Sequence, residues 1–186
     1  MSGWVTHIMY GKEISNLFDA FLCFWRNVVI FVVENFDYKS MEQDIRWIQR
    51  YDSFHKACQR VLSITESDKG PEDLSELEME GLIQRFEYTF ELAWKVLQDL
   101  LKYKGYEFVQ GPNGTLQKAL EDGLITNHDG WRRMAKARVT TSHTYNEGEA
   151  EGIAENIYEE YSVLLKQLDT TLGSLKATFG MGSLFE

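Results

Sequence analysis

Three stretches of the chain repeat apolar residues at helical spacing. In the first, Trp47, Tyr51, Phe54, Cys58 and Val61 recur at steps of 4, 3, 4 and 3. In the second, Ile83, Phe86, Phe90, Ala93, Leu97 and Leu100 recur at 3, 4, 3, 4 and 3. In the third, Ile153, Ile157, Tyr161, Leu164, Leu168, Leu172 and Leu175 step by 4, 4, 3, 4, 4 and 3. Steps of three and four keep side chains on one face of a helix with about 3.6 residues per turn. Each stripe has to be buried against another, and nearly antiparallel packing does this.

Local signals mark the ends. Ser75-x-x-Glu78 is a capping-box pattern at the start of the second helix. Gly105 suits its end, where a left-handed residue closes the last turn. Gly111-Pro112-Asn113-Gly114 reads as a turn, and Thr115 to Asp122 as a short helix closed by Gly123. Thr126 or Asn127 can cap a fourth segment, with Asp129 near its positive end. That helix runs through Trp131, Met134 and Ala137 and ends near 140–142, where the β-branched Thr140 and Thr141 weaken it. Gly148 and Gly152 blur the start of the last helix. The pattern predicts an all-α fold, an up-and-down antiparallel bundle of four long helices plus a short one. It contains no internal repeat, heptad coiled coil or low-complexity tract.

Residues 1–40 differ in character. Leu17 to Val33 is rich in Phe, Trp, Val and Ile, but Asp19, Arg26 and Asn27 interrupt it. A membrane-spanning helix needs about 20 apolar residues with few charges. A signal peptide needs a basic start, and here Glu13 cancels Lys12. Val28 to Val33 is strand-like without an evident partner strand. Three parts are therefore expected: an atypical extension at 1–40, the bundle at 41–175 and a tail at 176–186. Met41 is the expected natural start, which makes 1–40 an upstream extension or an artefact of the assigned start. The alternative is an N-terminal helix or hairpin that caps the bundle or a dimer seam.

Bulk composition narrows the chemistry. A length of 186 residues favours one domain. The net charge of -10 repels nucleic acid and anionic membranes, so any RNA contact needs a local basic patch. One lies between Gly130 and Asn146, where Arg132, Arg133, Lys136 and Arg138 occur with no Asp or Glu. Its plainer reading is a basic helix face balancing acidic neighbours. Cys23 and Cys58 make neither a disulfide framework nor a CxxC pair, which points to a reducing cytoplasm.

The chain has no Gly-rich phosphate loop, no HExxH and no clustered Cys/His set, so no metal or cofactor is expected. His7, His55 and His128 are scattered and read as surface or packing residues. His143 stands out by its company, in Arg138-Val-Thr-Thr-Ser142-His143-Thr-Tyr145. On an unbroken helix Arg138 and His143 would point about 140° apart. They converge only if the helix ends or distorts between them. Arginine forks onto phosphate oxygens, and histidine exchanges protons near neutral pH. RNA supplies its own nucleophile, the 2′-hydroxyl. Transphosphorylation wants a base and an acid, so two chains meeting at this site would complete it. The competing reading pairs Arg138 with Glu147 or with an acid on a neighbouring helix, leaving His143 and Tyr145 as polar contacts at a helix end.

Three blocks together carry a family likeness: Met41-Glu-Gln-Asp-Ile-Arg-Trp47, then Gly81-Leu-Ile-Gln-Arg-Phe-Glu-Tyr-Thr-Phe-Glu-Leu-Ala-Trp-Lys95, then Arg138 to Glu147. Over roughly 41–175 the chain resembles the HEPN-type (higher eukaryotes and prokaryotes nucleotide-binding) proteins that serve as substrate-binding subunits of nucleotidyltransferases. The resemblance implies a homodimer and a complex with a separately encoded minimal nucleotidyltransferase, often as a toxin–antitoxin pair. It implies a metal-independent RNase site across the dimer, with Arg138 on phosphate and His143 handling protons. It also implies silencing by AMP attached to Tyr145. Lys136 and Ser142 flank this site, and Glu87 and Glu91, one turn apart on the second helix, could support it. The family usually has a polar residue after the arginine, where this chain has Val139. Two readings stay open: a ribonuclease toxin, or a non-catalytic subunit that binds nucleotide or substrate.

Overall fold

The computed structural model describes residues 46–107, 111–141 and 147–182. The boundary expected around Met41 lies outside them; of the tail expected at 176–186, residues 176–182 continue the last helix and 183–186 lie outside the described residues. The described residues belong to a compact unit, Gln43–Glu186. The fold is all-α. Helix α1 covers 46–65. It is followed by α2 (Glu76–Tyr103), α3 (Gly111–Glu121), α4 (His128–Thr141) and a last run made of α5 (Glu147–Asn156), a π turn (Ile157–Tyr161) and α6 (Ser162–Gly182). No described helix is long and apolar enough to cross a membrane.

The predicted stripes form the core. All five positions of the first and all six of the second are buried. In the third, Ile157 through Leu172 are buried, while Ile153 and Leu175 pack on the core edge. The consecutive four-residue steps at 153, 157 and 161 have a local cause. A π turn bonds i to i+5 rather than i+4, so it absorbs an extra residue without rotating the stripe out of the core. Tyr161 thereby stacks on Phe86 of α2, with ring centroids 5.2 Å apart.

Polar contacts fix the register of α1. Asp99 of α2 is buried and accepts from Arg50 Nε at 2.6 Å, with Arg46 Nε 3.6 Å away. Asp169 of α6 is also buried. It lies 2.9 Å through both oxygens from His55 Nδ1 and accepts from Gln59 Nε2 at 3.3 Å. His55 is thus a packing residue with a partner, which satisfies a carboxylate that would be costly to bury alone. Burial, reinforced by the Asp169 charge, raises the Cys58 thiol to about 12. It is a core residue and not a reactive one. Lys166 pairs with Glu66 and Lys176 with Asp52, so α1 and α6 run antiparallel.

The helix ends follow their signals, with one correction. After α2, Gly105 takes φ +88. Its N–H donates to Lys102 O at 3.0 Å, and Tyr106 N–H donates to Leu101 O at 3.0 Å, the paired bonds of a Schellman closure. Gly123 (φ +70) closes α3 in the same way. The turn expected at Gly111–Gly114 is instead the first turn of α3, which begins at Gly111 and not at Thr115. Proline costs little there, because first-turn N–H groups have no helical acceptor in any case. Asn127, at φ 51, caps α4 by accepting the Gly130 N–H at 3.1 Å. Gly130 sets how closely α4 approaches α6, since a Cβ there would lie 2.7 Å from Leu164 Cδ1.

The capping box at α2 is complete. Ser75 N–H donates to Glu78 Oε2 at 2.9 Å, and Glu78 N–H donates to Ser75 Oγ at 3.3 Å. The Ser75 side chain and backbone, then Lys69, hold the Glu78 carboxyl at about 2. A carboxyl depressed in the folded state adds stability above its unfolded value, and that stability disappears as pH falls through the folded value. The capping contribution should therefore be full above about pH 4.5 and vanish by about pH 2. Thermal midpoints of wild type and Glu78→Gln should differ at neutral pH and converge towards pH 2. A gap that stays constant with pH would show that the carboxylate charge is irrelevant to the cap.

Candidate functional site

Helix α4 carries the basic patch, and its cations divide between two sides. Arg133 turns to the π turn and forks onto Glu160, with Nε–Oε2 at 3.1 Å and Nη2–Oε1 at 2.5 Å. Glu160 also accepts from Asn127 Nδ2 at 3.2 Å. The Arg133 hydrogen bonds outweigh burial and keep its carboxyl below the usual range. One of the four cations is therefore tied into the bundle. Arg132 and Lys136 are exposed, and neither forms an ion pair with a described acid.

Arg138 lies in the last turn of α4 and faces α2. Its Nε is 4.0 Å from Glu91 Oε2. The acid beside the guanidinium is thus on a neighbouring helix; the Glu147 side chain lies outside the described part. Glu91 is itself held. Trp94 Nε1–H donates to its Oε2 at 3.0 Å, and Lys95 Nζ lies 2.8 Å from its Oε1. Burial works to raise the Glu91 pKa. Hydrogen bonds from Lys95 and Trp94, with the charges of Lys95 and Arg138, overcome it and leave the carboxyl below the usual glutamate range. Among the described residues, Lys95 and Arg138 both stand beside the Glu91 carboxylate.

Aromatic packing places the two helices. Phe90, next to Glu91, is buried with its ring 6.4 Å from that of Trp131 on α4. Trp131 and Arg138 are about two turns apart on nearly the same face of α4, so the packing that seats Trp131 on Phe90 also turns Arg138 towards Glu91 of α2. Val139, beside Arg138, is 56% exposed.

The structure brings Arg138 and Glu91 together. Glu87 is half-buried one turn earlier, and no described side chain pairs with it. Lys136 is exposed on the same helix as Arg138. Ser142, His143 and Tyr145 fall between the ends of α4 and α5, outside the described residues. Sequence reasoning missed Trp94 and Lys95 as partners of Glu91. The Glu91/Lys95 spacing of four on a helix was the available signal. Among the described residues no group of three or more His, Cys, Asp or Glu could hold a metal ion.

The two longer sequence blocks, 81–95 and 138–147, thus meet at Glu91 and Arg138. Residues 49–174 match the family described as nucleotidyltransferase substrate binding protein like. The chain belongs to this family. The matched span begins after Trp47, so the block 41–47 lies ahead of it. Among the relatives of this family member, a probable ribonuclease HepT of Haemophilus influenzae is 29% identical over 126 aligned residues, spanning 62% of this chain and 86% of the relative. A crystal structure of a protein from Thermus thermophilus aligns with a TM-score of 0.56 and 33% identity, covering 66% of this chain and 98% of that one.

Proposed function

We propose that this family member is the helical partner of a minimal nucleotidyltransferase in a cytoplasmic toxin–antitoxin pair, with a metal-independent ribonuclease site at Arg138 and His143. The observation that carries this reading is Arg138 at the end of α4, braced by Glu91, a few residues before the segment that holds His143 and Tyr145. The likeness to a probable ribonuclease supports it. Arg138 forks onto the scissile phosphate and stabilises the added charge of the transition state. His143 removes the 2′-hydroxyl proton, the 2′-oxygen attacks phosphorus, and the 5′-oxygen leaves with a proton. The second proton transfer assigns a role to the His143 of a second copy, so the active form is a homodimer. Lys136 and Ser142 stand close by in sequence to help hold RNA.

A second reading is favoured by one observation. Val139 is exposed beside Arg138, where a polar side chain would help hold phosphate. A non-catalytic subunit that binds nucleotide or substrate for its partner would need no such group.

Tyr145 supplies the test of the partnership. AMP on its phenol would occupy the space a substrate phosphate needs and add negative charge to the patch of Arg132, Lys136 and Arg138. Co-expression with the cognate nucleotidyltransferase should yield a chain heavier by one or more AMP groups, the first on Tyr145 by peptide mass spectrometry. Tyr145→Phe should stay unmodified at that position. Modification only at other tyrosines, or none with an active partner, would remove Tyr145 from the account.

A further inference from the structure

Helix α1 is basic in an acidic chain. It carries Arg46, Arg50, Lys56 and Arg60 against one acid, Asp52, while the chain as a whole has a net charge of -10. Asp52 is taken up on another side, by Lys176 of α6. The four cations are spaced 4, 6 and 4 apart, which puts them within about 120° of one another around the helix. Arg46–Arg50 and Lys56–Arg60 are like-charge pairs four residues apart, an arrangement that weakens a helix. Asp99 of α2 offsets the first pair. Lys56 and Arg60 are exposed and form no ion pair with a described acid, so helix stability does not explain the second.

The row runs along the outer seam between α1 and α2. These helices are antiparallel, since Arg50 meets Asp99 at one end and Ser63 and Ile64 share a groove with Gly81 and Arg85 at the other. Arg85 is exposed and has no ion-pair partner among the described acids, so it adds a cation to the opposite wall. Glu78 also lines that groove, but Lys69 neutralises it. Tyr88 follows Arg85 by about one turn and is 58% exposed. From Arg46 to Arg60 the row is about 21 Å long, 14 residues at ~1.5 Å each.

We propose that this seam is a track for single-stranded RNA, with Arg46, Lys56, Arg60 and Arg85 on backbone phosphates and Tyr88 as a stacking platform for one base. The proposal rests on RNA being the substrate, as read above, and on no property of the Arg138 side chain. A row of cations with an exposed aromatic ring is the arrangement that holds a strand without reading its sequence. A protein partner would call for an apolar centre poor in lysine. The exposed residues between the cations of α1 include Gln49 and Ser53, which are polar.

The experiment measures binding of the full chain to a fluorescent 20-nucleotide oligouridylate by anisotropy over a range of salt, with circular dichroism and thermal midpoints as the fold check. Lys56→Gln, Arg60→Gln and Arg85→Gln together should weaken binding about tenfold and flatten the slope of log affinity against log salt by about 2. Arg60→Gln alone should flatten it by about 0.7. Thermal midpoints should not fall, because a like-charge pair is relieved. Lys104→Gln, Lys118→Gln and Lys166→Gln remove the same charge away from the seam and should weaken binding less than about twofold. Tyr88→Ala should weaken it about fivefold with the salt slope unchanged, and Tyr88→Phe should bind like the wild type. Unchanged affinity in the seam variant, or an equal loss in the control set, would overturn the track and leave RNA as the substrate. Unchanged RNA affinity with lost capture of the co-expressed nucleotidyltransferase would assign the seam to an acidic protein surface instead, which also overturns the track. No RNA binding by the wild type would overturn RNA as the substrate, and the track with it.

Discussion

Phe90→Ala is expected to destabilise the bundle by about 3–5 kcal/mol, through lost burial and the cavity left behind. Phe90 is 1% exposed. Its ring lies 6.4 Å from Phe86 on its own helix and 6.4 Å from Trp131 on α4. Alanine would open a void where α2 supports α4, and the rigid helical neighbours cannot collapse to fill it. The effect should reach the site, because Glu91 directly follows Phe90, Arg138 lies about two turns beyond Trp131, and both depend on the same α2–α4 packing. Denaturant unfolding measures the loss. Leu77→Ala provides the control: Leu77 is 78% exposed, and its truncation should change stability by no more than about 0.5 kcal/mol. A Phe90→Ala loss below about 1 kcal/mol would contradict the α2–α4 packing.

The stripes were legible because burial is periodic. Every residue of 83–100 singled out by the 3.6-residue rhythm is in the core. Cap chemistry was legible where a side chain acts on nearby backbone, as at Ser75 and Asn127, or where glycine takes a left-handed turn, as at Gly105 and Gly123. It misled at Gly111–Gly114, because glycine and proline serve both a turn and the first turn of a helix. The π turn left a trace in the consecutive four-residue steps, but several tolerated irregularities in a helix leave a similar one. Partners far apart in the chain were not readable from local spacing, although an acid on a neighbouring helix was expected as one partner for Arg138 and Glu91 was a named candidate near the site. Arg133 meets Glu160, 27 residues on, and Arg138 meets Glu91 on another helix. Such pairs depend on the rotation of α4 about its axis. Trp131 on Phe90 and the close approach at Gly130 set that rotation.

Arg138→Ala and His143→Ala are each expected to abolish RNA cleavage while leaving helicity unchanged. The two act on one transition state, so losing either the phosphate-binding cation or the proton-transfer group should cost roughly what losing both costs. Neither substitution touches the stripes that hold the bundle. Arg138 is partly exposed, and its ion pair with Glu91 contributes little to stability at 4.0 Å. Chelator should leave cleavage intact, because the proposed step uses the 2′-hydroxyl, an imidazole and a guanidinium. In cells, expression of the chain without its nucleotidyltransferase should arrest growth, and either variant should relieve the arrest.

The most direct measurement incubates the purified, unmodified full chain with single-stranded RNA in EDTA, beside its His143→Ala variant, and resolves the products by length and end group. The account predicts fragments ending in 2′,3′-cyclic phosphate from the wild type and intact RNA from the variant. Intact RNA in both, or equal cleavage by both, would contradict it.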